Sequence, residues 1–374
     1  MAVTIKEVAT KSDLRKFICL PAEIHKNHKN WVPPLYIDER AFYNPKKNRS
    51  FSHCECTLAL AFKDNKVAGR IMGIINHKYN QHHNEKTGRF FNIECFDDSE
   101  TANALLEFVE NWAINKGMDK LAGPLGFSDK DPQGMLIEGF DMPMVITTNC
   151  NYQYMVRLIE EFGFGKKVDL VDYRMKIPEK IPAFYEEIKN RCISRNNIRL
   201  LEFKSKKELK PYIRKVFELV NETYGHIFAF SEIEQDEMEY MAKRYLPVIN
   251  PRFVKMVLDN NGILIAFVLA IPDIAEGIRL AGGKLLPLGI FKILRSVRST
   301  KMLVMLLGAI KHEYRNAGLD ALMGVSMLQE AQKAGMEVID SHLVLEDNNK
   351  MRAEYERMGG EVYKRYRIFQ KEIN

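Results

Sequence analysis

The chain has 374 residues, of which 46% are hydrophobic and 28% charged, and its formal net charge is +6. This length exceeds one ordinary hydrophobic core and predicts two domains. Lysine and arginine are interleaved with acidic residues, whereas a nucleic-acid-binding protein carries a basic stripe, so we expect an anionic small ligand and no nucleic-acid partner.

Cysteine usage and hydropathy indicate the compartment. Six cysteines are scattered over residues 19–192, which favours reduced thiols over a disulfide framework. The N-terminal segment lacks the apolar stretch of a secretory signal. The longest uncharged apolar runs, GILIAFVLAIP and MLVMLLGAI, are far shorter than a membrane span. We therefore expect a cytoplasmic protein without stable membrane insertion, of unknown oligomeric state.

The predicted elements of the first half alternate between strands and helices. Alternating and helical periodicities predict, in chain order, a strand at 3–8, a helix at 11–28, strands at 57–62 and 67–76 around the turn KDNK, the strand RFFNIECF, a helix at 101–116, a loop rich in Gly, Pro and Asp, a helix near 152–162 and a strand near 167–176.

The second half repeats this order after the proline-containing linker KIPEKIPAF. It is predicted to contain a strand at 197–203, helices at 205–224 and 232–245, the strands RFVKMVLD and GILIAFVLAI, a partly basic insertion, a strand at 302–310, a helix at 318–334, the strand MEVIDSHLVL, a helix at 347–358 and a strand at 361–370.

The ends of the two halves also match. Each has a helix end with Glu, a Gly, a strand and a Tyr–Arg pair, in EEFGFGKKVDLVDYRMKI and YERMGGEVYKRYRIFQKEI. A duplicated α/β unit is the economical explanation, with domains at 1–178 and 179–374. Neither half shows G-x-G-x-x-G after its first strand, which argues against a doubly wound nucleotide-binding fold.

The junction between the strand 302–310 and the next helix carries a motif. The segment RNAGLD (315–320) resembles the Arg/Gln-x-x-Gly-x-Gly/Ala signature of the GNAT acyltransferase superfamily, except that Asp320 holds the last position. Downstream, Asn348, Tyr355 and Gly359 also have the family's spacing. Over nearly its whole length the chain is similar to an uncharacterised bacterial group of tandem GNAT-like proteins, in stretches such as WVPPL and LEDNNKM. The resemblance implies a mixed α/β fold, with two tandem GNAT-like domains whose central sheets are mixed and flanked by helices.

The resemblance also implies a reaction, in which an acetyl-type acyl group passes from acyl-CoA directly to an amine of a small molecule or peptide. It assigns the pantetheine arm to backbone groups of Gly308, Ala309 and Ile310, and the pyrophosphate to Arg315, Asn316, Ala317 and Gly318. Asn348 would orient the cofactor arm or Tyr355. A phenol titrates near ~10 and a thiol near ~8.5, so Tyr355 is a workable acid for the departing thiolate.

The group that receives the amine proton is less clearly marked. Asp340, His342 and Glu346 alternate along IDSHLVLE, so all three would share one face of their strand. Among them Glu346 is preferred.

Asp320 opposes this interpretation, because a carboxylate in the first helical turn repels a pyrophosphate and itself complements the helix dipole. One alternative is therefore a non-catalytic binding protein on a scaffold that has lost its cofactor. Another alternative, within the same fold, is an aminoacyl or long-chain acyl transferase. The corresponding junction of the first half, ECFDDSETANALL, has three acids and no glycine, and Ile159 replaces the tyrosine. We predict that the first half does not bind CoA and helps to form the acceptor pocket.

Three further segments have structural and functional interpretations. HKYNQHH and HCEC lack the paired ligand spacings of a zinc site, so no metal is predicted. The loop 123–143, with Asp129, Asp131, Glu138 and Asp141, is interpreted as a cover for the sheet edge, with an acceptor site as the alternative. The segment 284–301 reads as an amphipathic basic helix. Its apolar positions 285, 288, 291 and 294 are predicted to pack on the sheet, with a substrate lid or contact with a membrane, an acyl chain or a partner as alternatives.

Overall fold

The computed structural model describes residues 2–246 and 249–374. In the first half the elements are β1 (Thr4–Glu7), α1 (Lys11–Ile24), α2 (Tyr36–Phe42), β2 (Cys54–Lys63), β3 (Lys66–Asn76), α3 (His77–His83), β4 (Thr87–Cys95), α4 (Ser99–Asn115), β5 (Lys120–Gly123), β6 (Met135–Glu138), α5 (Gln153–Glu161) and β7 (Gly165–Lys176).

The second half continues with a longer series of elements. They are α6 (Ala183–Asn196), β8 (Arg199–Glu202), α7 (Lys206–Leu209), α8 (Ile213–Tyr224), α9 (Gln235–Tyr245), β9 (Val254–Leu258), β10 (Leu264–Pro272), α10 (Ala275–Ala281), α11 (Gly289–Ser299), β11 (Met302–Ile310), α12 (Leu319–Lys333), β12 (Val338–Leu345), α13 (Asn349–Arg357) and β13 (Glu361–Glu372).

All of these strands join one mixed sheet in the described part of the chain. Its order is β1-β2-β3-β4-β5-β13-β7-β12-β11-β10-β9-β8, and β6 pairs with β13 beside this path. The mixed α/β class predicted from the sequence is confirmed. Helices α4 and α12 cover corresponding parts of the sheet, because each buries apolar residues at helical spacing, including Leu105 and Val109 in α4 and Leu322 and Val325 in α12.

The two halves follow the same plan up to their last strand. In the first half β4 and β5 are parallel over three pairs, from Thr87↔Lys120 to Arg89↔Ala122. In the second half β11 and β12 are parallel over three pairs, from Met302↔Val338 to Val304↔Asp340. Strands that are parallel neighbours need a crossover, and α4 and α12 provide it. This repetition of topology supports the duplicated unit read from the sequence.

The last strand of each half pairs with the other half. Strand β13 lies between β5 and β7, and β7 lies between β13 and β12. The first half's hydrophobic core therefore contains Phe369 and Ile373, whereas Met175 of β7 packs in the second half's core with Leu303 and Ile339. The domain boundary at 178/179 stays a prediction. Strands from before and after this boundary alternate at the centre of the sheet, so the two sequence halves do not form two separate sheets.

The helix predicted at 284–301 does not pack as expected. Leu288, Phe291 and Leu294 are 63%, 65% and 51% exposed, so the prediction that this stripe packs on the sheet is wrong. Helix α11 turns a different face inward: Gly277 of α10 lies so close that a Cβ there would come 2.7 Å from the Cα of Ile293 and 2.8 Å from the Cβ of Ser296. The absence of a side chain at Gly277 thus lets the two helices meet through their small residues.

The exchanged strand predicts a long-range effect on stability. Phe369 is fully buried in the first half's core, so Phe369→Ala should lower the free energy of unfolding by about 3–5 kcal/mol. Val362→Ala, on the same strand at a position 37% exposed, is the matched control and should cost less than ~1 kcal/mol. Chemical denaturation followed by tryptophan fluorescence measures both. Equal shifts of the two midpoints would contradict the exchange.

Candidate active site

An opening forms where β11 and β12 separate. Their parallel pairing stops at Val304↔Asp340, while β11 continues along β10 to the pair Ala266↔Ile310. Strand β12 turns the other way and stays paired with β7 as far as Leu345↔Leu170. One edge of β11 beyond Val304 is therefore free of strand partners in the described chain, and its backbone N–H and C=O groups are available to a ligand.

The three backbone positions predicted to hold pantetheine do not face the same way. The N–H of Lys311 donates to Ile265 O, and by the alternation of an antiparallel pair Ala309 also points its backbone groups at β10. Gly308 and Ile310 face the opening. The carbonyl of Gly308 already accepts a hydrogen bond of 2.7 Å from the hydroxyl of Tyr224, whose pKa is raised to about 12 by burial.

The predicted pyrophosphate loop has the backbone shape that an anion site needs. Asn316 and Gly318 both have positive φ, of 65° and 81°, and α12 begins directly afterwards at Leu319. The first N–H groups of a helix have no partner within it and favour negative charge. Arg315 is exposed and forms no ion pair with any residue in the two described segments. These residues fit a phosphate group.

Two features of the same loop work against an anion. The carboxylate of Asp320 accepts the N–H of Ala321 at 2.9 Å, so it occupies one of the free donors and adds negative charge. Helix α6 also packs against the loop, because the thiol of Cys192 donates to Ala317 O at 3.2 Å. Asp320 therefore supplies negative charge to the first turn of α12, as expected from the sequence. Other backbone N–H groups at the start of α12 remain free for a ligand.

Tyr355 lies on α13 at the edge of the opening. Its ring is half-buried and stacks on that of Tyr173, with 5.5 Å between centroids. Burial raises the pKa of the Tyr355 phenol above its usual range, and the carboxyl groups of Asp172 and Asp340 add to the effect. The phenol is protonated at neutral pH, as an ordinary tyrosine is, and its raised pKa makes it a weaker proton donor.

The other two predicted catalytic residues make different contacts. Asn348 caps α13, because its side-chain oxygen accepts the N–H of Met351 at 3.3 Å. Glu346 forms ion pairs with Lys166, at 2.6 Å, and with Arg365. The bond from Lys166 holds the pKa of the Glu346 carboxyl below its usual range. The role of Glu346 as a base stays a prediction, which this geometry does not favour.

A buried polar cluster, which sequence reasoning did not assemble, lies beside the opening. We call Asp172, Asp340, Tyr363 and Lys364 the central cluster; they come from β7, β12 and β13. The Tyr363 hydroxyl donates to Asp340 Oδ2 at 2.5 Å and lies 3.2 Å from Asp172 Oδ2. The Lys364 ammonium donates to Pro143 O at 2.5 Å. In the sequence, Asp340 is a candidate base. The other signal is that Asp172 and Lys364 interrupt the apolar pattern of the strands LVDYRM and VYKRYRIF.

The charges of the central cluster perturb one another. Burial, together with the neighbouring carboxyl of Asp340, raises the pKa of Asp172 well above its usual range. Burial also lowers the pKa of Lys364, while the two carboxyl groups oppose this shift. Strongly perturbed ionisable groups gathered beside an opening are typical of functional sites.

A bulge in β12 places His342 beside the central cluster. Asp340 pairs with Arg174 and Leu343 pairs with Asp172, so two residues of β12 oppose the single Tyr173. His342 takes the left-handed backbone conformation, with φ of 56°, which is uncommon for a residue other than glycine. The carboxylate of Asp340 fixes the bulge by accepting the N–H of His342 at 3.0 Å.

The bulge changes which side chains share a face. An extra residue shifts the alternation by one, so Asp340 and Glu346 lie on opposite faces of β12. The prediction that Asp340, His342 and Glu346 share one face is therefore wrong. His342 Nε2 lies 2.6 Å from the hydroxyl of Thr147, and burial lowers the pKa of the imidazole. His342 is thus neutral near pH 7.

Comparisons with known proteins bear on this geometry. No protein-family model matches the chain. It is 26% identical over 387 residues to Protein YghO of Escherichia coli (strain K12), covering 99% of this chain and 95% of that protein. It is 27% identical over 382 residues to the bacterial ceramide synthase of Caulobacter vibrioides (strain NA1000 / CB15N), covering 99% and 98%.

Solved structures share the fold at low identity. A tandem GNAT protein from the clavulanic acid biosynthesis pathway superposes with a TM-score of 0.56 and 11% identity, covering 99% of this chain and 98% of that one. The chain therefore shares the fold of a tandem GNAT protein. A GCN5-related N-acetyltransferase from Sphaerobacter thermophilus gives a TM-score of 0.55 and 13% identity, with 100% and 96% covered. These neighbours confirm the predicted GNAT-like fold.

The first GNAT-like half has a closed counterpart of the opening. After β5 the chain turns back across β4, and the N–H of Leu125 donates to Phe90 O at 2.9 Å. At the start of α4, Asp98 and Glu100 pair with Lys63 at 2.9 and 3.0 Å. That the first half does not bind CoA stays a prediction, with which this arrangement agrees.

The loop 123–143 covers the middle of the tandem sheet. Strand β6 pairs with β13, and Glu138 forms an ion pair of 3.4 Å with Arg365. Asp131 accepts the N–H of Phe127 at 2.8 Å, and burial raises the pKa of Asp131 to about 6, as it does for Asp129. Asp141 is exposed. The structural interpretation is favoured, with the centre of the sheet covered instead of its edge.

Residues 2–246 and 249–374 contain no group of three or more His, Cys, Asp or Glu side chains placed to hold a metal ion. Within the same two segments, none of the helices combines the length and the apolar character needed to cross a membrane.

Proposed function

We propose that the second half of this tandem GNAT protein transfers an acyl group from acyl-CoA to an amine. The observation that carries the proposal is the separation of β11 from β12 beyond Val304↔Asp340, with Tyr355 and His342 at the edge of the opening. Gly308 and Ile310 present backbone groups to it, and would hold the pantetheine arm. Arg315, Asn316, Ala317 and Gly318 would hold the pyrophosphate through backbone N–H groups and the guanidinium.

The acid and base roles follow from the protonation states. Bound acyl-CoA would supply the thioester that the amine attacks. Tyr355, which as a phenol is protonated at neutral pH, would donate a proton to the departing sulfur. His342, neutral because burial lowers its pKa, would take the proton that the amine loses. Tyr355 thus loses one proton and His342 gains one. The protein returns to its starting state when His342 releases its proton to solvent and Tyr355 takes one up.

Asp340 acts through His342 in this proposal. Its carboxylate accepts both the N–H of His342 and the hydroxyl of Tyr363, so it holds the bulge that turns the imidazole toward Thr147. A residue kept in a rarely populated conformation needs such surrounding contacts, and these conformations are concentrated at functional sites. Asp172 and Lys364 would complete the support from the neighbouring strands.

The length of the acyl group has two candidates. An acetyl-type group is the one implied by the sequence motif. A long-chain group is favoured by the similarity to the bacterial ceramide synthase, which covers 99% of this chain. The acceptor is an amine on a small molecule or peptide, or on a lipid-like molecule in the second case. The free cysteines suit the cytoplasm, where thiols stay reduced.

Binding of CoA tests the proposal directly. Free CoA at about 100 times its Kd should stabilise the protein by about 2.7 kcal/mol, measured as a rise in Tm. Arg315→Ala should weaken binding about 10-fold, because a charge-assisted hydrogen bond is lost. Asp320→Asn should strengthen binding about 2–5-fold, because the charge goes while an acceptor for the N–H of Ala321 remains.

The matched control for CoA binding is Arg199→Ala. Arg199 is exposed on β8, at the far edge of the sheet, and its loss should leave the Tm shift unchanged. No shift of the unmodified protein at millimolar CoA and acetyl-CoA would favour the non-catalytic alternative, since a ligand that binds only the folded state must raise Tm.

Removal of the proposed acid should affect turnover and spare binding. Tyr355→Phe should lower kcat about 100-fold, within the usual range for loss of a general acid, and change the Kd for CoA less than ~2-fold. Tyr212→Phe, another half-buried tyrosine, is the control. Free thiol release from acetyl-CoA and palmitoyl-CoA with an amine panel gives the rates and distinguishes the two acyl lengths. Equal kcat values for Tyr355→Phe and the unmodified enzyme would remove the phenol from the mechanism.

The proposed base predicts a pH dependence. A neutral imidazole is the active form, and its pKa lies below the ordinary value of 6.5, so kcat/KM should fall only below pH 6.5. His342→Asn should lose this acid limb and about 100-fold in rate, while asparagine tolerates the left-handed backbone. His82→Asn is the control. An unchanged acid limb in His342→Asn would assign the base to another residue.

A further inference from the structure

Exposed large hydrophobic residues are concentrated on the α10–α11 hairpin. Fourteen are exposed in the described chain, and six of them lie between residues 280 and 294. We call these six the apolar patch: Leu280, Leu286, Leu288, Ile290, Phe291 and Leu294. Single exposed apolar residues are normal on a protein surface, whereas a contiguous group usually marks an interaction site.

Packing inside the hairpin leaves the apolar patch without a partner in the described chain. Helix α11 meets α10 through Ile293 and Ser296, which close onto Gly277. The connection between the helices is anchored on the first half, because Gly283 O accepts the N–H of Tyr36 at 3.0 Å. The hairpin is thus held in place from beneath, and its large side chains point outward.

The charge of the same segment is one-sided. The hairpin, residues 275–299, contains five basic residues and one acidic residue, Glu276, and its net charge of +4 compares with +6 for the whole chain. Arg279 and Lys301 have acidic partners, Glu276 and Glu337. Lys284, Arg295 and Arg298 are exposed and form no ion pair with residues of the described ranges. Most of the excess positive charge of the chain therefore lies on this hairpin.

We propose that the α10–α11 hairpin docks on the surface of a membrane that contains anionic lipids. A helix with bulky apolar residues on one side and Lys and Arg beside them lies in the plane of such an interface, with the apolar side chains among the upper acyl carbons. The basic residues meet the negative surface potential of the lipids. A second copy of this chain is less well matched, because the unpaired Arg295 and Arg298 of two facing hairpins would repel each other.

Docking would bring the membrane close to the central cluster. Asp273 lies two residues before α10, and burial raises its pKa to about 6. The carboxyl of Asp340 raises this pKa further, whereas the Lys364 ammonium lowers it. Ile274 and Ala275 pack with Met144 and Ile146, next to the Pro143 carbonyl that accepts the Lys364 ammonium. If the proposed acyl transfer holds, the membrane would present an amphiphilic substrate beside the site; docking itself does not depend on that reaction.

Vesicle sedimentation tests the proposal. The full-length protein should bind vesicles of phosphatidylglycerol and phosphatidylcholine, bind phosphatidylcholine alone at least 10-fold more weakly, and be released by 0.5 M salt through screening. The triple variant Leu288→Ser, Phe291→Ser, Leu294→Ser should lose binding to anionic vesicles at least 10-fold. Arg295→Ser with Arg298→Ser should weaken it about 5-fold for each arginine.

The matched control changes exposed hydrophobic residues elsewhere. Ile37→Ser, Phe184→Ser, Ile263→Ser should bind anionic vesicles as the unmodified protein does, since these residues are 60%, 63% and 50% exposed but lie off the hairpin. The Tm shift with CoA, measured without vesicles, should be the same in every variant, so failure of docking and failure of the proposed activity are separate results. Absence of binding to anionic vesicles would overturn the proposal. So would a dimer in solution that the serine triple variant abolishes, because the apolar patch would then belong to a second copy.

Discussion

The pairing of β13 between β5 and β7 is the constraint on which the rest of the molecule depends. It joins two copies of one supersecondary plan into a single sheet, and it places residues from both halves side by side at the centre. Asp172 comes from the first half, whereas Asp340, Tyr363 and Lys364 come from the second. Without the exchanged strands these groups would lie at the edges of two separate sheets, where water would replace their mutual hydrogen bonds.

Burial gives the central cluster its properties. A carboxyl that is removed from water and faces another carboxyl holds its proton more tightly, which is the state inferred for Asp172. The hydroxyl of Tyr363 lies between the carboxyl groups of Asp340 and Asp172, and the ammonium of Lys364 donates to Pro143 O. Polar groups in such a setting are costly unless each has a partner. The cluster can therefore hold the bulge at His342 in one geometry, which a solvated loop could not.

Sequence periodicity predicted the elements that bear local signals. The strand 302–310 agrees with β11 at both ends, and the loop 315–318 precedes α12 as the motif indicated. The sequence did not show which of β7 and β13 would pair with the strands of which half. Both have the same pattern of a Gly, a strand and a Tyr–Arg pair, so either could complete either half. The bulge at His342 depends on Tyr173 across the sheet, and the outward face of α11 depends on Gly277. Both are tertiary effects that no window of neighbouring residues contains.

The position of β13 also sets the order in which the protein can be completed during translation. The core of the first half needs Phe369 and Ile373, which leave the ribosome about 250 residues after β5 has been made. Until then β5 offers an unpaired edge, which is a template for pairing with another nascent chain. A chaperone that shields the edge of β5 would therefore increase the yield of native molecules. The same chaperone would have a smaller effect on two domains that fold independently.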